Sequence, residues 1–549
     1  MATHSVENQP PPLANYDVFD ADLALTDAVS REGAGWAVEE LRALGVLAGS
    51  EEAQAWGTAA NEFPPKLRTH DRYGNRIDEV DYHPAYHELM RVALAHGLHT
   101  RPWSEPCPGA HVARAAGFMV WSQVDAGHGC PVSMTYAVVP ALAAEPTLAL
   151  EWEPRLFSRH YDKRALPAAQ KTGATAGMAM TEKQGGSDVR ANTTRAEPVA
   201  AATGSGAEYL LTGHKWFCSA PMGDLFLVLA QAPGGLSCFA VPRWTPDGNR
   251  NVFRLQRLKD KLGNRSNASS EVEFSGTWAR MLGPEGRGVP TIIEMVNHTR
   301  LDCILGSTSL MRQAVAQSTH HAAHRVAFGR ELSHQPLMRA VLADLAIESE
   351  AATVTALRIA RAYDAPAEDA HEHAFRRVAT AVSKYWVCKR APGLAAEALE
   401  CLGGNGYVEE SGMPRLLRES PLNGIWEGSG NVICLDVLRA MSREPDAIAA
   451  FRDEINTARG TDRRLDVHLD VVDTHLTELD DVETRARRIV EDLALALQAS
   501  LLVQNAPADV ADAFCGARLG PDRGWAYGSL DPAAAHAAIV ERATPAVDL

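Results

Sequence analysis

The amino-acid sequence predicts a mainly α-helical protein with a small central β domain and a helical extension at its carboxyl end. Apolar residues recur every three or four positions in the first and third parts of the chain, which is the period of a helix with one buried face. Between these parts the pattern changes to short apolar runs separated by turn residues, as in a sheet. We therefore expect a helical domain over residues 1–170, a β domain over 171–285, a helical bundle over 286–443 and a helical extension over 444–549.

The helical regions contain several well-marked elements. In the first region apolar residues lie three apart, with acidic residues between them, at Val38, Leu41 and Leu44, which predicts an amphipathic helix. In the bundle region a helix is expected to begin at Pro336, because proline is favoured in the first helical turn. A second long helix is expected from about residue 370 to residue 388.

The β region contains a clear hairpin pattern. The apolar runs at 225–230 and 237–241 are typical of strands, and Pro233-Gly234-Gly235 between them predicts the turn. Residues 271–274 alternate polar and apolar side chains, as a half-buried strand does.

Composition excludes several classes of protein. The chain has 549 residues, 46% of them hydrophobic, and a net charge of −16, so it is neither disordered nor built mainly to bind nucleic acid. The best apolar run, at 493–503, is interrupted by Gln498 and Ser500 and is too short to cross a membrane. The start shows no export signal, and nine scattered cysteines without a Cys-x-x-Cys pair are typical of reduced thiols. We expect a cytoplasmic protein.

A metal site is not expected. His320 and His324 lie four apart on one predicted helix face, but the residue after His320 is His321, where a zinc-protease motif has glutamate. A solvated or hydrogen-bonded helix face is the preferred interpretation. The chain also has no phosphate-binding P-loop and no serine-hydrolase G-x-S-x-G motif.

Two polar sequences in the β region are candidate ligand contacts. Residues 180–188 combine hydroxyl groups with glycines, whose backbone N–H groups can approach an anion or a carbonyl closely. Residues 213–219 place Trp216 and Phe217 beside the hydroxyl of Ser219. A connecting loop and a buried hairpin are the respective alternatives.

A third sequence, 425–431, contains a candidate general base. Glu427 lies between Trp426 and a Gly-Ser-Gly turn. Apolar surroundings raise the pKa of a carboxyl group, which would suit Glu427 to accept a proton near neutral pH. An exposed turn glutamate is the alternative.

The order of these motifs resembles the acyl-CoA dehydrogenase family. Six motifs of that family stand in sequence over roughly residues 100–440, at 180–188, 213–216, 261–265, 325–329, 403–407 and 426–428. Within the family, the chain is most similar to the alkylation-response branch, named AidB. That similarity depends on residues 31–36, 181–188 and 259–269 and on the carboxyl-terminal extension.

The resemblance implies a helical domain, a β-barrel domain and a helical bundle, with FAD bound between the β domain and the bundle and a homotetrameric assembly. It places Thr181 near the isoalloxazine carbonyl edge, Trp216 over a ring face and Arg325 at the pyrophosphate. The residues that the resemblance assigns to FAD are Met178, Met180, Thr181, Gly186, Ser187, Trp216, Phe217, Ser219, Arg325, Phe328, Gln335, Gly404, Ile425, Trp426, Gly428, Ser429 and Asn431.

The resemblance also implies a reaction. Glu427 would remove the α-proton of an acyl-CoA thioester while a hydride leaves the β-carbon for the flavin. Arg300 stands where relatives direct an arginine toward the substrate, with a helix-surface arginine as the alternative. Trp426 replaces the usual tyrosine, and Glu400 stands where many relatives have glutamine.

Duplex DNA is a second candidate partner, because the AidB branch assigns DNA binding to the extension. A DNA-binding protective flavoprotein with weak or vestigial dehydrogenase activity is therefore the alternative function. Residues 445–549 have a net charge of −9, which opposes phosphate binding. The cationic candidates are Arg439, Arg443, Arg485, Arg487 and Arg488, with pairing to nearby acidic residues as their alternative role.

Overall fold

The computed structural model of the protein describes residues 3–478, 480–521 and 524–546. The chain divides into two compact units. The β unit comprises residues 52–106 and 124–302, and the helical unit comprises residues up to 51, residues 107–123 and residues from 303 onward.

The helices are α1 (Leu23–Arg31), α2 (Val38–Gly49), α3 (Glu51–Glu62), α4 (Pro84–Ala95), α5 (Arg101–Ser104), α6 (Ala110–Ser122), α7 (Gly129–Leu142), α8 (Pro146–Leu156), α9 (Gly288–His324), α10 (Pro336–Tyr363), α11 (Ala370–Cys401), α12 (Met413–Glu419), α13 (Gly430–Arg443), α14 (Pro445–Asn456), α15 (Arg463–Thr477), α16 (Val482–Asn505), α17 (Ala508–Leu519) and α18 (His536–Ala543). The strands are β1 (Lys66–His70), β2 (Arg76–Asp81), β3 (Ala176–Ala179), β4 (Arg195–Pro198), β5 (Glu208–Ser219), β6 (Leu225–Ala232), β7 (Gly235–Pro242), β8 (Phe253–Leu258), β9 (Ser269–Leu282), β10 (Val326–Ala327) and β11 (Arg330–Glu331). The predicted order of helices, central sheet, helices and helical extension is confirmed.

A barrel-like sheet forms the core of the β unit. Its strands run in the order β3-β6-β4-β5-β9-β7, β8 pairs with β9, and pairing of β6 with β7 closes the ring. The predicted hairpin is confirmed, because β6 and β7 pair antiparallel from Leu225↔Pro242 to Ala232↔Gly235. Residues on the inner face, among them Tyr209, Phe226 and Phe239, form one buried cluster, so apolar burial stabilises the closed sheet.

The predicted half-buried strand at 271–274 lies in β9, with one difference. Val272 and Phe274 are buried and Glu273 is exposed, but Glu271 is also buried. Its carboxylate binds Arg257 Nε at 2.5 Å and Lys259 Nζ at 2.6 Å. A charged residue in an alternating pattern can therefore be buried when nearby cations compensate its charge.

The first region contains a hairpin that helical spacing does not predict. Strands β1 and β2 pair antiparallel, and the Asp71 side chain accepts hydrogen bonds from the backbone of Tyr73 and Asn75 in the turn. The strands are rich in charge, with Arg68 Nε 2.7 Å from Asp81. This polar hairpin lacks the apolar alternation by which strands are usually recognised.

The helical unit is built around α10 and α11. Helix α10 begins at Pro336 as predicted, although Leu337 is exposed and the buried residues begin at Leu342. Helix α11 extends to Cys401, beyond the predicted end near residue 388. No described helix is long and apolar enough to span a membrane. All nine cysteines are free thiols, and of these only Cys107 is exposed.

The carboxyl-terminal extension docks on the bundle through buried ion pairs. Arg518 Nη2 lies 2.6 Å from Asp344 and 2.8 Å from Glu348, and Arg390 lies 2.9 Å from Glu348. Burial opposes ionisation of Glu348, but Arg390 and Arg518 lower its pKa to about 2. Backbone N–H of Gly528 also donates to Asp344 at 2.9 Å.

Candidate active site

The β unit brings the first two motifs together. The loop 180–188 follows β3, and residues 213–219 end the long strand β5. Backbone N–H of Trp216 donates to the carbonyl of Thr181 at 2.8 Å. Met178 is buried in β3 and pairs with Leu227 of β6 in parallel register. We call the surface formed by residues 178–187 and 216–219 the β wall.

A buried ion pair lies behind the β wall. Lys215 Nζ is 2.9 Å from Glu182 Oε1, and both side chains are fully buried. The same ammonium donates to the carbonyl of Leu229 at 2.8 Å and to that of Met180 at 3.3 Å. Burial lowers the pKa of Lys215 to about 8 against the attraction of Glu182. The Lys215 ammonium of β5 therefore connects residues 180–188, which we call the motif loop, with β6.

The carboxylate of Glu182 is saturated with hydrogen bonds. Thr193 donates to it from its backbone N–H at 2.7 Å and from its hydroxyl at 2.9 Å, and Thr194 N–H donates at 3.1 Å. Burial opposes ionisation, but these donors and Lys215 hold the pKa of Glu182 well below its usual range. Sequence reasoning missed this pair. A lysine at an inward-facing position of β5 was the available signal, since a buried lysine needs an acceptor.

Aromatic side chains form an exposed part of the β wall. Trp216 is half-buried and Phe217 is 50% exposed, so the alternative of a fully buried hairpin is wrong for these two rings. Lys259 Nζ lies 3.1 Å from the centroid of the Trp216 ring, a cation–π contact. Ser219 Oγ lies 3.4 Å from Ser269 Oγ.

Glycine shapes the motif loop beside these rings. A Cβ atom at Gly186 would lie 2.4 Å from the hydroxyl oxygen of Thr181, whereas one at Gly185 would meet nothing within 4 Å. The absent side chain at Gly186 therefore lets the loop approach the Thr181 hydroxyl closely. Exposed rings next to hydroxyl and N–H groups fit a flat, carbonyl-bearing ring system.

In the helical unit, Glu427 lies in a tight turn before α13. Its φ is +57°, a left-handed conformation that side-chain-bearing residues rarely adopt. Lys384 of α11 is 99% buried and donates to the carbonyl of Trp426 at 2.8 Å and to the carbonyl of Gly428. One ammonium thus binds the carbonyl of the residue before Glu427 and the carbonyl of the residue after it.

The side chain of Trp426 is held separately. Its indole N–H donates to Asn423 Oδ1 at 2.9 Å, and Asn423 Nδ2 donates to Ser307 Oγ at 3.1 Å. Ser429 is the N-cap residue of α13, and Ile425 is 63% exposed. The turn from residue 425 to residue 429, which we call the Glu427 turn, is therefore well anchored.

A small hairpin carries three of the other predicted contacts. Phe328 and Gly329 connect β10 to β11 with φ of +52° and +82°, and the Phe328 side chain is 99% exposed. Arg325 donates to the backbone carbonyl of Asn8, and Gln335 Nε2 donates to the carbonyl of Ala327 at 2.9 Å.

Gly404 is exposed, and a Cβ there would meet nothing within 4 Å.

Comparison with known proteins decides the family. A model described as the N-terminal domain of the adaptive response protein AidB matches residues 8–163. Models of the middle and C-terminal domains of acyl-CoA dehydrogenase match residues 177–277 and 286–442. AidB of Escherichia coli (strain K12) is 46% identical over 515 residues, which are 93% of this chain and 94% of that protein. The chain belongs to the acyl-CoA dehydrogenase family.

Solved structures agree with this membership. Caenorhabditis elegans ACDH-11 in complex with C11-CoA is 26% identical, with a TM-score of 0.85 over 96% of this chain and 95% of that chain. An acyl-CoA dehydrogenase from Bacillus anthracis complexed with FAD has a TM-score of 0.62 over 78% of this chain and 80% of that chain. The two sequences are 18% identical, so this likeness shows a shared fold. The predicted acyl-CoA dehydrogenase-like fold and the predicted AidB-like branch are confirmed.

Other residues singled out by the family resemblance lie as follows. Arg300 of α9 is only 7% exposed, so the alternative of a helix-surface arginine is wrong. Glu400 is exposed near the end of α11.

The histidine cluster on α9 is partly buried and hydrogen-bonded. Burial and neighbouring cations lower the pKa of His321 to about 4, and His320 Nε2 lies 2.9 Å from the carbonyl of Pro11. Among the described residues no group of three His, Cys, Asp or Glu side chains is placed to hold a metal ion. The histidines of this cluster therefore lie on a hydrogen-bonded helix face.

The arginines of the extension are engaged within the helical unit. On α16, Arg485 donates to the carbonyls of Glu478 at 2.6 Å and Asp480 at 3.0 Å. Arg488 Nε lies 2.7 Å from the buried carboxylate of Asp492. Arg487 Nε donates to Asn431 Oδ1 at 2.8 Å, which connects the extension to the start of α13. Arg439 and Arg443 lie in the last turns of α13, with Arg439 3.9 Å from Asp436.

Proposed function

We propose that this member of the acyl-CoA dehydrogenase family is an FAD-dependent dehydrogenase in which Glu427 is the catalytic base. The observation that carries the proposal is the Glu427 turn, where the glutamate of the family motif is held in a left-handed conformation by anchored neighbours. Such conformations persist where surrounding contacts impose them, and they are frequent at functional sites.

FAD is the cofactor that this proposal requires, and several residues of the chain have the chemistry to hold it. In the β unit, Thr181 and Ser187 offer hydroxyl groups, and Trp216 and Phe217 offer exposed ring surface. In the helical unit, Arg325 offers a guanidinium suited to a pyrophosphate. The FAD bound in the Bacillus anthracis structure, which shares the fold, supports the choice. When bound, FAD would accept the hydride that leaves the β-carbon of the substrate.

The protein's own contribution to chemistry is proton removal. The α-proton of the acyl thioester would pass to the carboxylate of Glu427, and negative charge would develop on the thioester oxygen. A carboxylate can remove such a proton only when hydrogen bonds stabilise that charge. Binding of the carbonyls of residues 426 and 428 by Lys384 keeps the base in one place, and misplacement by about 1 Å can cost ~100-fold in rate.

The substrate class is an acyl-CoA thioester. C11-CoA bound to the Caenorhabditis elegans relative, which matches most of this chain, supports this class. Trp426 has a larger side chain than the tyrosine usual in the family motif, and its indole is fixed by Asn423. We propose that this indole narrows the space for the acyl chain.

Anaerobic bleaching of the flavin tests the proposal. The FAD-loaded protein is mixed with C11-CoA or isovaleryl-CoA, and loss of absorbance near 450 nm is recorded. We expect bleaching by at least one thioester and a loss of at least ~1,000-fold in rate for Glu427→Gln at equal FAD content. Absence of bleaching by every thioester in the wild-type protein would overturn the proposal.

We also propose a role in the response to DNA alkylation, with duplex DNA as partner. The AidB match over residues 8–163 and the 46% identity with AidB support this second candidate. Binding should weaken steeply with salt, since phosphate contacts release counterions, and should weaken further when Arg439 and Arg443 become alanine. No binding to a duplex at low salt would contradict this role.

A homotetramer is the proposed assembly. The family resemblance supports it, and the helical unit exposes apolar side chains suited to contact with another copy, with Phe328 99% and Tyr407 82% exposed. Light scattering should give a mass four times that of the 59.2 kDa chain. Phe328→Ser should reduce that mass, and a monomer in the wild-type protein would contradict the assembly.

A further inference from the structure

The helical unit contains a buried lysine whose partners are unusual. Lys384 is 1% exposed, and its hydrogen bonds go to the carbonyls of Trp426 and Gly428. Two lysines of the β unit whose side chains are buried are compensated differently, because Lys215 pairs with Glu182 at 2.9 Å and Lys171 pairs with Asp224 at 2.7 Å. Taking an ammonium out of water is costly, and neutral carbonyls compensate it less than a carboxylate does.

The position of these two carbonyls points to a purpose. They belong to the residues immediately before and after Glu427, and both accept from a single Nζ atom. Between them Glu427 has a φ of +57°, which is unfavourable for a residue with a Cβ. If the ammonium were absent, the two carbonyls would lose their shared donor, and the turn could relax to a more favourable backbone conformation.

We propose that Lys384 is a positioning residue for the base Glu427, an inference that rests on the proposed function. Its ammonium draws both flanking carbonyls to one point and so maintains the left-handed conformation at Glu427. Helix α11, which is 32 residues long and mostly buried on one side, gives the ammonium a rigid support. Lys384 acts through the backbone of the Glu427 turn and is not assigned contact with substrate or cofactor.

A double-mutant cycle with the FAD-loaded protein tests this inference. The variants are Lys384→Met, Glu427→Gln and the two combined, and the readout is the limiting rate of anaerobic bleaching by C11-CoA or isovaleryl-CoA. We expect Lys384→Met to lower the limiting rate by ~30–100-fold, with less than ~3-fold change in the half-saturating concentration. In the Glu427→Gln background, Lys384→Met should have less than ~3-fold effect, because residues that act as one unit are not additive.

Two further variants separate positioning from general stability. Lys384→Arg keeps the charge and the donors, and it should recover at least ~5-fold of the lost rate. Lys171→Met removes a buried lysine of the β unit, and it should lower thermal stability while changing the limiting rate by less than ~2-fold. If Lys384→Met does not retain FAD, Lys384→Gln replaces it in the same cycle.

The outcomes are distinct for the two proposals. A wild-type protein that bleaches together with a Lys384→Met variant that bleaches equally fast would overturn the positioning role and leave the proposed function standing. A rate loss of equal size in both backgrounds would also overturn it, since it would show a structural effect. No bleaching of the wild-type protein by any thioester would overturn both proposals.

Discussion

The β wall and the Glu427 turn both depend on a buried lysine, but the two lysines are compensated in different ways. Lys215 meets a carboxylate that is itself saturated by Thr193 and Thr194, and its strand is fixed by a sheet ladder on both sides. Lys384 donates instead to two backbone carbonyls, and the turn it holds contains a residue with positive φ. The arrangement around Lys215 favours stability. The arrangement around Lys384 includes an unfavourable backbone conformation at Glu427, which holds that side chain in place.

The largest effect is expected from breaking the ion pair of the β wall. Lys215→Met leaves the carboxylate of Glu182 buried beside an apolar side chain, which should lower the free energy of unfolding by ~3–5 kcal/mol. Urea denaturation followed by circular dichroism measures this loss. The control is Arg42→Met at an exposed pair with Asp20, where the loss should stay below ~1 kcal/mol. Equal losses in the two variants would contradict the assigned role of the Lys215 pair.

Acid should act on the docked extension and leave the Lys384 contact intact, since carbonyls do not titrate. The pKa of Glu348 is lowered from about 4.5 to about 2, so its stabilising contribution is complete above pH 4.5 and is lost as the pH falls toward 2. Ionised Glu348 therefore contributes ~3 kcal/mol to the free energy of unfolding. Unfolding midpoints of the wild-type protein and Glu348→Gln, measured from pH 6 to pH 2.5, should therefore converge. A constant difference across that range would contradict the ion-pair account.

Relieving the unfavourable backbone conformation at Glu427 should raise the free energy of unfolding and abolish dehydrogenase activity. Glu427→Gly removes the Cβ atom that makes φ of +57° unfavourable, and a gain of ~1 kcal/mol is expected. The thermal midpoint should rise while bleaching by acyl-CoA stops. The matched control is Ala396→Gly inside α11, which should cost ~1 kcal/mol. A lower midpoint for Glu427→Gly would show that the turn is not strained.

The smallest effect is expected for the contact between the extension and α13. Arg487→Ala removes one partly exposed hydrogen bond, to Asn431 at 2.8 Å, worth ~1 kcal/mol or less. If Asn431 contributes to FAD binding as proposed, the FAD dissociation constant should rise by ~2–5-fold, as equilibrium dialysis would show. Arg452→Ala, which breaks an ion pair with Asp473 on the outer part of the extension, should leave it unchanged.

Local patterns in the sequence predicted the elements whose apolar residues recur regularly. The β6–β7 hairpin and the start of α10 are examples, because a turn sequence and a first-turn proline are local signals. The charged hairpin β1–β2 was missed because most of its residues are polar, and the few apolar ones, such as Leu67 and Val80, which pack in the core of the β unit, do not form a regular alternation. The end of α11 was placed too early, because Pro392 lies within the helix, where proline usually ends one.

The supporting residues of the candidate site could not be predicted in the same way. Lys215 and Glu182 are 33 residues apart, and their meeting depends on the register of β5 relative to the loop after β3. Lys384 is 42 and 44 residues from the carbonyls that it binds. Motifs identify Glu427 and Trp216 as residue types that suit a reaction, but pairings over such separations are determined by packing of whole elements.

The burial of the cysteines has a consequence for chemical reactivity. Thiols react with electrophiles as thiolates, and burial raises the pKa of Cys218, Cys238, Cys401 and Cys515 to about 12. Cys107 is the single exposed thiol of the nine. In the folded protein, a thiol-directed reagent such as a maleimide therefore meets one exposed thiol, so the chain resists thiol-directed damage and accepts a spectroscopic label at one defined position.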